Sequence, residues 1–256
     1  MSVVEPYFAE GTLREHRIMR LCVGANFAVM MFCAGYLVLE CHGSGISWLQ
    51  MIGVLAIGYF VADFASGAVH WGLDTWFSER ELGRAVAIAR EHHTHPQNIL
   101  GYSFLEHSAL GSAPSAAVIG PIALVTALLP VSLAAYGLMA VWLITSTCLF
   151  FVTSFHNLAH RPPKSRLIRL AQKLHLVIPA QHHWVHHREE QVIRYCVING
   201  WANYVCDPLL FWRKMEWLVE AVTGAQPRQD DLEWQQRYKE TGTLLKTVAP
   251  AASNDA

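Results

Sequence analysis

The chain of 256 residues is 53% apolar and 15% charged, with a formal net charge of −1, whereas soluble domains carry about 25% charged residues. That balance argues against a soluble domain, implies no nucleic acid partner and points to a membrane. Cys22, Cys33, Cys41, Cys148, Cys196 and Cys206 form no CxxC pair, so all are read as free thiols.

In chain order, Met1 to Glu15 mixes acids with bases and has no A-x-A cleavage site near the first apolar run. No removable signal peptide is expected, and residues 1–18 read as a cytoplasmic segment before a first span that anchors itself. Between Arg20 and Asp63, Glu40 is the single charged residue. The stretch Cys41-His42-Gly43-Ser44-Gly45 divides this run into spans expected at about 19–39 and 46–69. From His107 to His160 there is no Asp, Glu, Lys or Arg, and as one helix that run would measure roughly 80 Å, far more than a bilayer needs. It therefore folds back at Leu129-Pro130-Val131-Ser132, giving spans at about 112–129 and 133–155, the former loosened by Pro114, Gly120 and Pro121. The fold class is an all-α integral membrane protein of about four transmembrane helices with a cytoplasmic histidine-rich cap at about 156–246. The tail 247–256 reads as disordered.

Lys and Arg near span ends mark the cytoplasmic side. Arg14, Arg17 and Arg20 precede span one, Arg80, Arg84 and Arg90 follow span two, and the rest begin at Arg161. All 19 fall on one face, so both termini are expected in the cytoplasm, with a bacterial inner membrane as the setting. Basic Lys164, Arg166, Arg169 and Lys173 interleave with leucines over 162–180, a pattern for a helix in the headgroup layer or packed on the cap.

The histidines converge on that same face. His70 follows span two, His92 and His93 are adjacent in the loop, and His156 and His160 form an i, i+4 pair as span four closes. Gln181-His182-His183-Trp184-Val185-His186-His187 places His183, His186 and His187 on one helical face. Only His42 lies opposite, and His16 precedes the first span. His70 and Asp74 are also i, i+4, and Asp63, inside the bilayer, reads as a carboxylate that orients His70 or as a structural hydrogen-bond acceptor. So many imidazoles exceed the three or four protein ligands of one zinc, so two metals fit better. Imidazole alone does not choose among iron, zinc, copper and nickel. A site opening onto alkyl chains invites oxidation of unactivated C–H bonds, which iron with dioxygen accomplishes and side-chain acid–base chemistry does not.

The segments Val69-His70-Trp71-Gly72-Leu73-Asp74-Thr75-Trp76, Arg90-Glu91-His92-His93, Phe155-His156-Asn157-Leu158-Ala159-His160, Ile178 to His187 and Asn199-Gly200-Trp201-Ala202-Asn203-Tyr204 together resemble the CarF-like plasmanylethanolamine desaturase family. That family is itself similar to the plastid desaturase of phosphatidylglycerol acyl chains. The match runs from about Asp63 to about Trp234 and includes Pro227-Arg228-Gln229-Asp230-Asp231. The resemblance implies a membrane lipid desaturase domain over about 19–246, with two iron ions, dioxygen as co-substrate, a membrane phospholipid substrate and a cytoplasmic electron donor, cytochrome b5-like or ferredoxin-like. By position it implies His70, His92, His93, His156, His160, His183, His186 and His187 as metal ligands and catalytic residues. Asp63, Asp74, His175, His182 and Asn203 become candidates to support them, while His95 and His107 have no counterpart.

Two positions depart from the plasmalogen-forming pattern: Tyr102 stands in place of a His and Ser108 in place of an Asn. The reading is therefore conversion of a 1-O-alkyl ether phospholipid to its vinyl ether, with desaturation of an acyl chain near its carboxyl end as the alternative. From a different class, a bis-histidine haem electron-transfer or sensor protein stays open, although its ligands would face each other inside the spans.

Overall fold

Hydrocarbon offers no hydrogen-bond partners, so an uncharged run closes its backbone bonds within a helix. The computed structural model describes residues 12–40, 47–77, 79–188 and 193–227, and among these the architecture is helical without strands. Four helical stretches are long and apolar enough to cross a membrane. They are α1 (Leu13–Glu40), α2 (Trp48–Thr75), the pair α5 (Phe104–Pro114) and α6 (Gly120–Ala127), and α7 (Leu133–Phe150). The protein is an integral membrane protein. Between α2 and α5 lie α3 (Glu79–Leu82) and α4 (Arg84–Thr94). After α7 come α8 (Val152–Ala159), α9 (Arg166–Lys173), α10 (Ala180–Arg188), α11 (Asn203–Cys206) and α12 (Phe211–Thr223).

Two spans differ usefully from their expected bounds. Helix α2 continues past 69 to Thr75, so His70 and Asp74 lie inside it, on its last two turns. The third span begins at Phe104 rather than near 112, because Ser103 and Glu106 form a capping box at its start. Its middle is a π-helical turn, Ser115–Ile119, between the Pro114 and Pro121 that the sequence marks as loosening. Proline cannot donate to the ladder, and a wider turn absorbs the mismatch. The expected hairpin at 41–45, the expected tail at 247–256 and the motif residues 228–231 lie outside the described residues.

Close approach holds the spans together. The amide of Asn26 donates to the Ser146 carbonyl at 3.2 Å, and its oxygen accepts from Ser115 Oγ at 2.7 Å. That buried polar junction ties α1, the π turn and α7. A Cβ built on Gly111 of α5 would stand 1.9 Å from the Leu149 carbonyl of α7, so only glycine allows this crossing. Alternation of direction then gathers the start of α1, the end of α2, the start of α5 and the end of α7 at one end of the bundle, where α8 and α10 also lie.

Candidate metal centre

Four helices deliver the ligand candidates: α2 carries His70 and Asp74, α4 His92 and His93, α8 His156 with His160 at its C-cap, and α10 His183, His186 and His187. The side chains sort into two groups whose donor atoms lie within 4.8 Å of one another: His92, His156, His160, His183 and His187, and His70, Asp74, His93 and His186. Adjacent His92 and His93 thus face different groups. So does the α10 triplet: the i, i+4 pair His183 and His187 joins the first group and His186 the second, rather than all three sharing one ion. Asp74, expected beside the ligands, stands among them. Its Oδ2 is 3.3 Å from His70 Nε2, 3.5 Å from His93 Nε2 and 3.6 Å from His186 Nε2.

Nitrogen–nitrogen distances test whether an ion fits. Donors about 2.1 Å from a shared ion and at right angles to each other stand about 3.0 Å apart. In the first group His156 and His183 Nε2 are 2.7 Å apart, His156 and His160 3.0 Å, His160 and His183 3.1 Å, and His183 and His187 2.9 Å. In the second, His93 and His186 Nε2 are 3.2 Å apart. Both ring nitrogens of His92 and the Nε2 of His70 are buried without a hydrogen-bond partner, an arrangement that costs about 1–3 kcal/mol per group unless a ligand satisfies it. The donor set therefore fits metal ions, and the spacing leaves no gap for a porphyrin between facing rings.

Protonation agrees. Burial pushes His92, His93, His156 and His183 well below the ordinary imidazole value, and the neighbouring rings push further. Burial likewise lowers His186 to about 4, His160 to about 3 and His187 to about 2. Neutral rings keep the lone pairs that metals need.

The rings are aimed by the segment after α10. His70 Nδ1–H donates to the Tyr195 carbonyl at 3.0 Å and His186 Nδ1–H to the Ile193 carbonyl at 2.7 Å. A carbonyl only accepts, so each bond fixes the tautomer and presents an unprotonated Nε2 to the second group. Of the two readings of Asp63, the structure gives the structural acceptor: it lies two turns, roughly 10 Å, deeper in α2 than His70. Its Oδ1 accepts the N–H groups of Ile198, Asn199 and Gly200 at 3.0, 3.0 and 3.1 Å, and its Oδ2 that of Ala202 at 2.9 Å. Asp63 thus fixes the loop that carries the Tyr195 carbonyl. Asn203 bonds both backbone groups of Cys196 and reaches His182, which also meets Arg194. His175 lies edge-on to His182. These three brace the same loop and join neither group. His107 ties α5 to the Ile99 carbonyl, and His95 is in neither group. His16 bonds the Thr12 carbonyl at the start of α1, while His42 lies outside the described residues.

Comparison with known proteins places this architecture. A lipid desaturase domain matches residues 59–230. The chain belongs to the lipid desaturase family. It is 34% identical over 209 residues to plasmanylethanolamine desaturase 1 of Mus musculus, covering 75% of this chain and 72% of that one. It is 34% identical over 230 residues to plasmanylethanolamine desaturase of Myxococcus xanthus, with 88% and 79% covered. It is 26% identical over 233 residues to fatty acid desaturase 4-like 2, chloroplastic, of Arabidopsis thaliana, with 87% and 78% covered. No solved structure gives a significant match.

This lipid desaturase, an oxidoreductase acting on membrane lipid, has apolar cavities beside its histidines. A groove of about 1080 Å³ runs between α1, α2 and the α5–α6 span, at the upper end of the ~300–1,000 Å³ usual for ligand sites. A second pocket of about 50 Å³ is lined by His70, His92 and His156. Val69, Leu73 and Leu110 line both, so these side chains form a wall that the two cavities share. Sequence reasoning missed this groove, the direct place of Asp74, and the carbonyls of Ile193 and Tyr195. The i, i+4 spacing of His70 and Asp74 was the one available signal.

Proposed function

We propose that this desaturase holds one iron in each side-chain group and uses dioxygen to convert a 1-O-alkyl ether phospholipid to its vinyl ether. The carrying observation is the pair of adjacent donor groups beside a small pocket that shares an apolar wall with a groove among the spans. When bound, iron with dioxygen supplies the power to remove hydrogen from unactivated C–H bonds. The eight histidines and Asp74 hold the ions. The Tyr195 and Ile193 carbonyls keep His70 and His186 aimed, and Val69, Leu73 and Leu110 give the small pocket beside them an apolar wall. Two hydrogens leave the adjacent chain carbons, two electrons and two protons arrive from a donor, and dioxygen leaves as two waters.

The names of the relatives at 34% identity favour the ether-linked chain. The shared wall at Leu110 lies about one helical turn from Glu106, toward the charged end of the span, which favours carbons close to the headgroup. Plastid-type relatives at 26% identity support the second reading, a double bond near an acyl carbonyl. The uniform placement of Lys and Arg supports a cytoplasmic site with cytoplasmic termini in a bacterial inner membrane, served by a cytochrome b5-like or ferredoxin-like donor. Feeding an alkylglycerol to expressing cells tests the reaction. Acid-labile aldehyde release is expected from wild type and not from His156→Ala. A new acyl double bond without vinyl ether would replace the first reading by the second.

A further inference from the structure

Carbonyls at Ile193 and Tyr195 aim two rings of the second group, whereas both nitrogens of His92 in the first group are buried without a hydrogen-bond partner. The place of the His92 ring therefore depends on how α4 is seated. Glu91, the residue before it, is fully buried. Its Oε1 accepts the Asn98 amide at 2.7 Å, and its Oε2 accepts the Tyr102 hydroxyl. Both donors belong to the connector between α4 and α5, which thereby folds back on the end of α4. The same connector reaches α8. Gln97 Nε2–H donates to the His160 carbonyl at 2.8 Å. His107, just beyond the connector, donates its Nε2–H to the Ile99 carbonyl at 2.8 Å and turns its Nδ1 to the Asn157 amide at 3.5 Å. Thr153, three residues before His156, donates to the His107 carbonyl at 3.2 Å.

We infer that Glu91 is a positioning residue for the five-histidine group: by holding Asn98 and Tyr102 it sets the connector, and the connector sets His92 on α4 against His156 and His160 on α8. This rests on the proposed reading for its two ions but not for its reaction. Glu91 joins neither donor group, and both of its oxygens already accept hydrogen bonds, so it acts through placement and not by contact with an ion. The first group needs such a link. His92 stands edge-on to His156 and His160, with ring centroids 4.8 and 5.6 Å away, and these rings arrive on separate helices. Productive metal geometry tolerates only about 0.5 Å of misplacement, so a small shift of α4 takes His92 out of reach. The carboxylate suits the task because its two oxygens grip two points of the connector at once. Tyr102, a departure from the plasmalogen-forming pattern, lines neither cavity and gives its hydroxyl to Glu91, so it bears on the metal group and not on the choice of chain.

Cobalt(II) binding tests this without turnover. The full chain in detergent is stripped of metal with a chelator and titrated with cobalt(II), read by its visible absorption. Wild type is expected to take up two ions and Asp74→Ala one, which leaves the five-histidine group as the site observed in that background. There Glu91→Ala is expected to weaken cobalt binding about 10–100-fold, the usual cost of losing a residue that orients a ligand. Glu91→Gln keeps the size, an acceptor oxygen and a second polar atom that the Tyr102 hydroxyl can meet, so it restores most of the affinity. Gln97→Ala, which removes only the tie to His160, weakens the same ion while its thermal midpoint stays close to that of its parent. Unchanged affinity in Glu91→Ala would overturn the inference, and so would a Gln variant no better than Ala, which assigns the effect to charge. Should Glu91→Ala fail to fold, Gln97→Ala decides: weakened binding supports the inference and unchanged binding overturns it. A wild type that takes up a single ion would instead refute the two-ion reading, and the same variants then judge Glu91 on that ion, weakening supporting its role and no change overturning it.

Discussion

At the scale of single residues, the histidines were legible because imidazole is scarce and its spacing is readable on a helix. What their spacing could not say is which of the two groups each ring joins. His92 and His93 part company because successive residues on a helix point about 100° apart, and His186 leaves its neighbours on α10 for the same reason. Asp74 was placed only near His70, since i, i+4 brings two side chains together without showing what third group they share. Its Oδ2 stands 3.3 to 3.6 Å from three Nε2 atoms, and a carboxylate in that place would offer a bound ion a ligand and a compensating charge. Asp74→Ala is expected to lower iron from two per chain to about one, with activity reduced at least ~100-fold, the upper range for losing a ligand-supporting group. Metal analysis of purified protein checks it, and two irons in that variant would return Asp74 to a supporting role. His156→Ala and His183→Ala are expected to abolish turnover, whereas His16→Ala at the exposed start of α1 leaves most of it, as lipid analysis of expressing cells would read out.

At the scale of elements, the spans were legible from charge-free runs, but their ends were not. Helix α2 runs on through His70 and Asp74 because protein, not lipid, covers its last turns: Tyr195, Cys196 and Trp212 pack there with Phe64 and Trp71. The 193–203 loop itself carries no periodic signal, and its shape follows from contacts distant in the chain. Asp63 accepts four of its N–H groups. Gly67 lets it approach so closely that a Cβ there would meet Cys196 Sγ at 2.4 Å. Asp63→Ala leaves those four donors unpaired, at about 1–3 kcal/mol each where water does not reach them. A thermal midpoint well below wild type in detergent is expected, and the small deficit of a mere surface change would contradict this account. Gly111→Ala drives a Cβ into the Leu149 carbonyl. Backbone cannot step aside as a side chain can, so its cost should exceed the ~1–3 kcal/mol of ordinary overpacking. Loss of folded protein by size-exclusion chromatography is the measurement.

For the whole molecule, the question is which way the bundle faces. The described basic residues at helix ends, Arg14, Arg17 and Arg20 at the start of α1 and Arg84 and Arg90 on α4, share the histidine end with α9. There Leu167 and Leu170 are exposed beside Arg166 and Arg169, while Gln172 docks the helix through the Leu158 and Ile178 carbonyls. Helix α9 thus packs on the cap, and its exposed leucines beside arginines leave the headgroup-layer reading of its outer face as an expectation. By the bias of Lys and Arg toward the cytoplasm, the histidine end is expected to face inward and the α6–α7 hairpin outward. Native thiols test this poorly, because Cys196 and Cys206 are buried and would resist a reagent on either side, and Cys41 lies outside the described residues. Exposed positions serve better: Val131 in the hairpin and Arg213 on α12, whose side chain is 51% exposed. In a chain whose own cysteines are replaced by alanine or serine, an impermeant maleimide should label Val131→Cys on intact cells and Arg213→Cys only after permeabilisation. The opposite pattern would place the metal groups on the outer face, away from cytoplasmic reductant, and the electron donor would then have to be sought outside the cell membrane's inner surface.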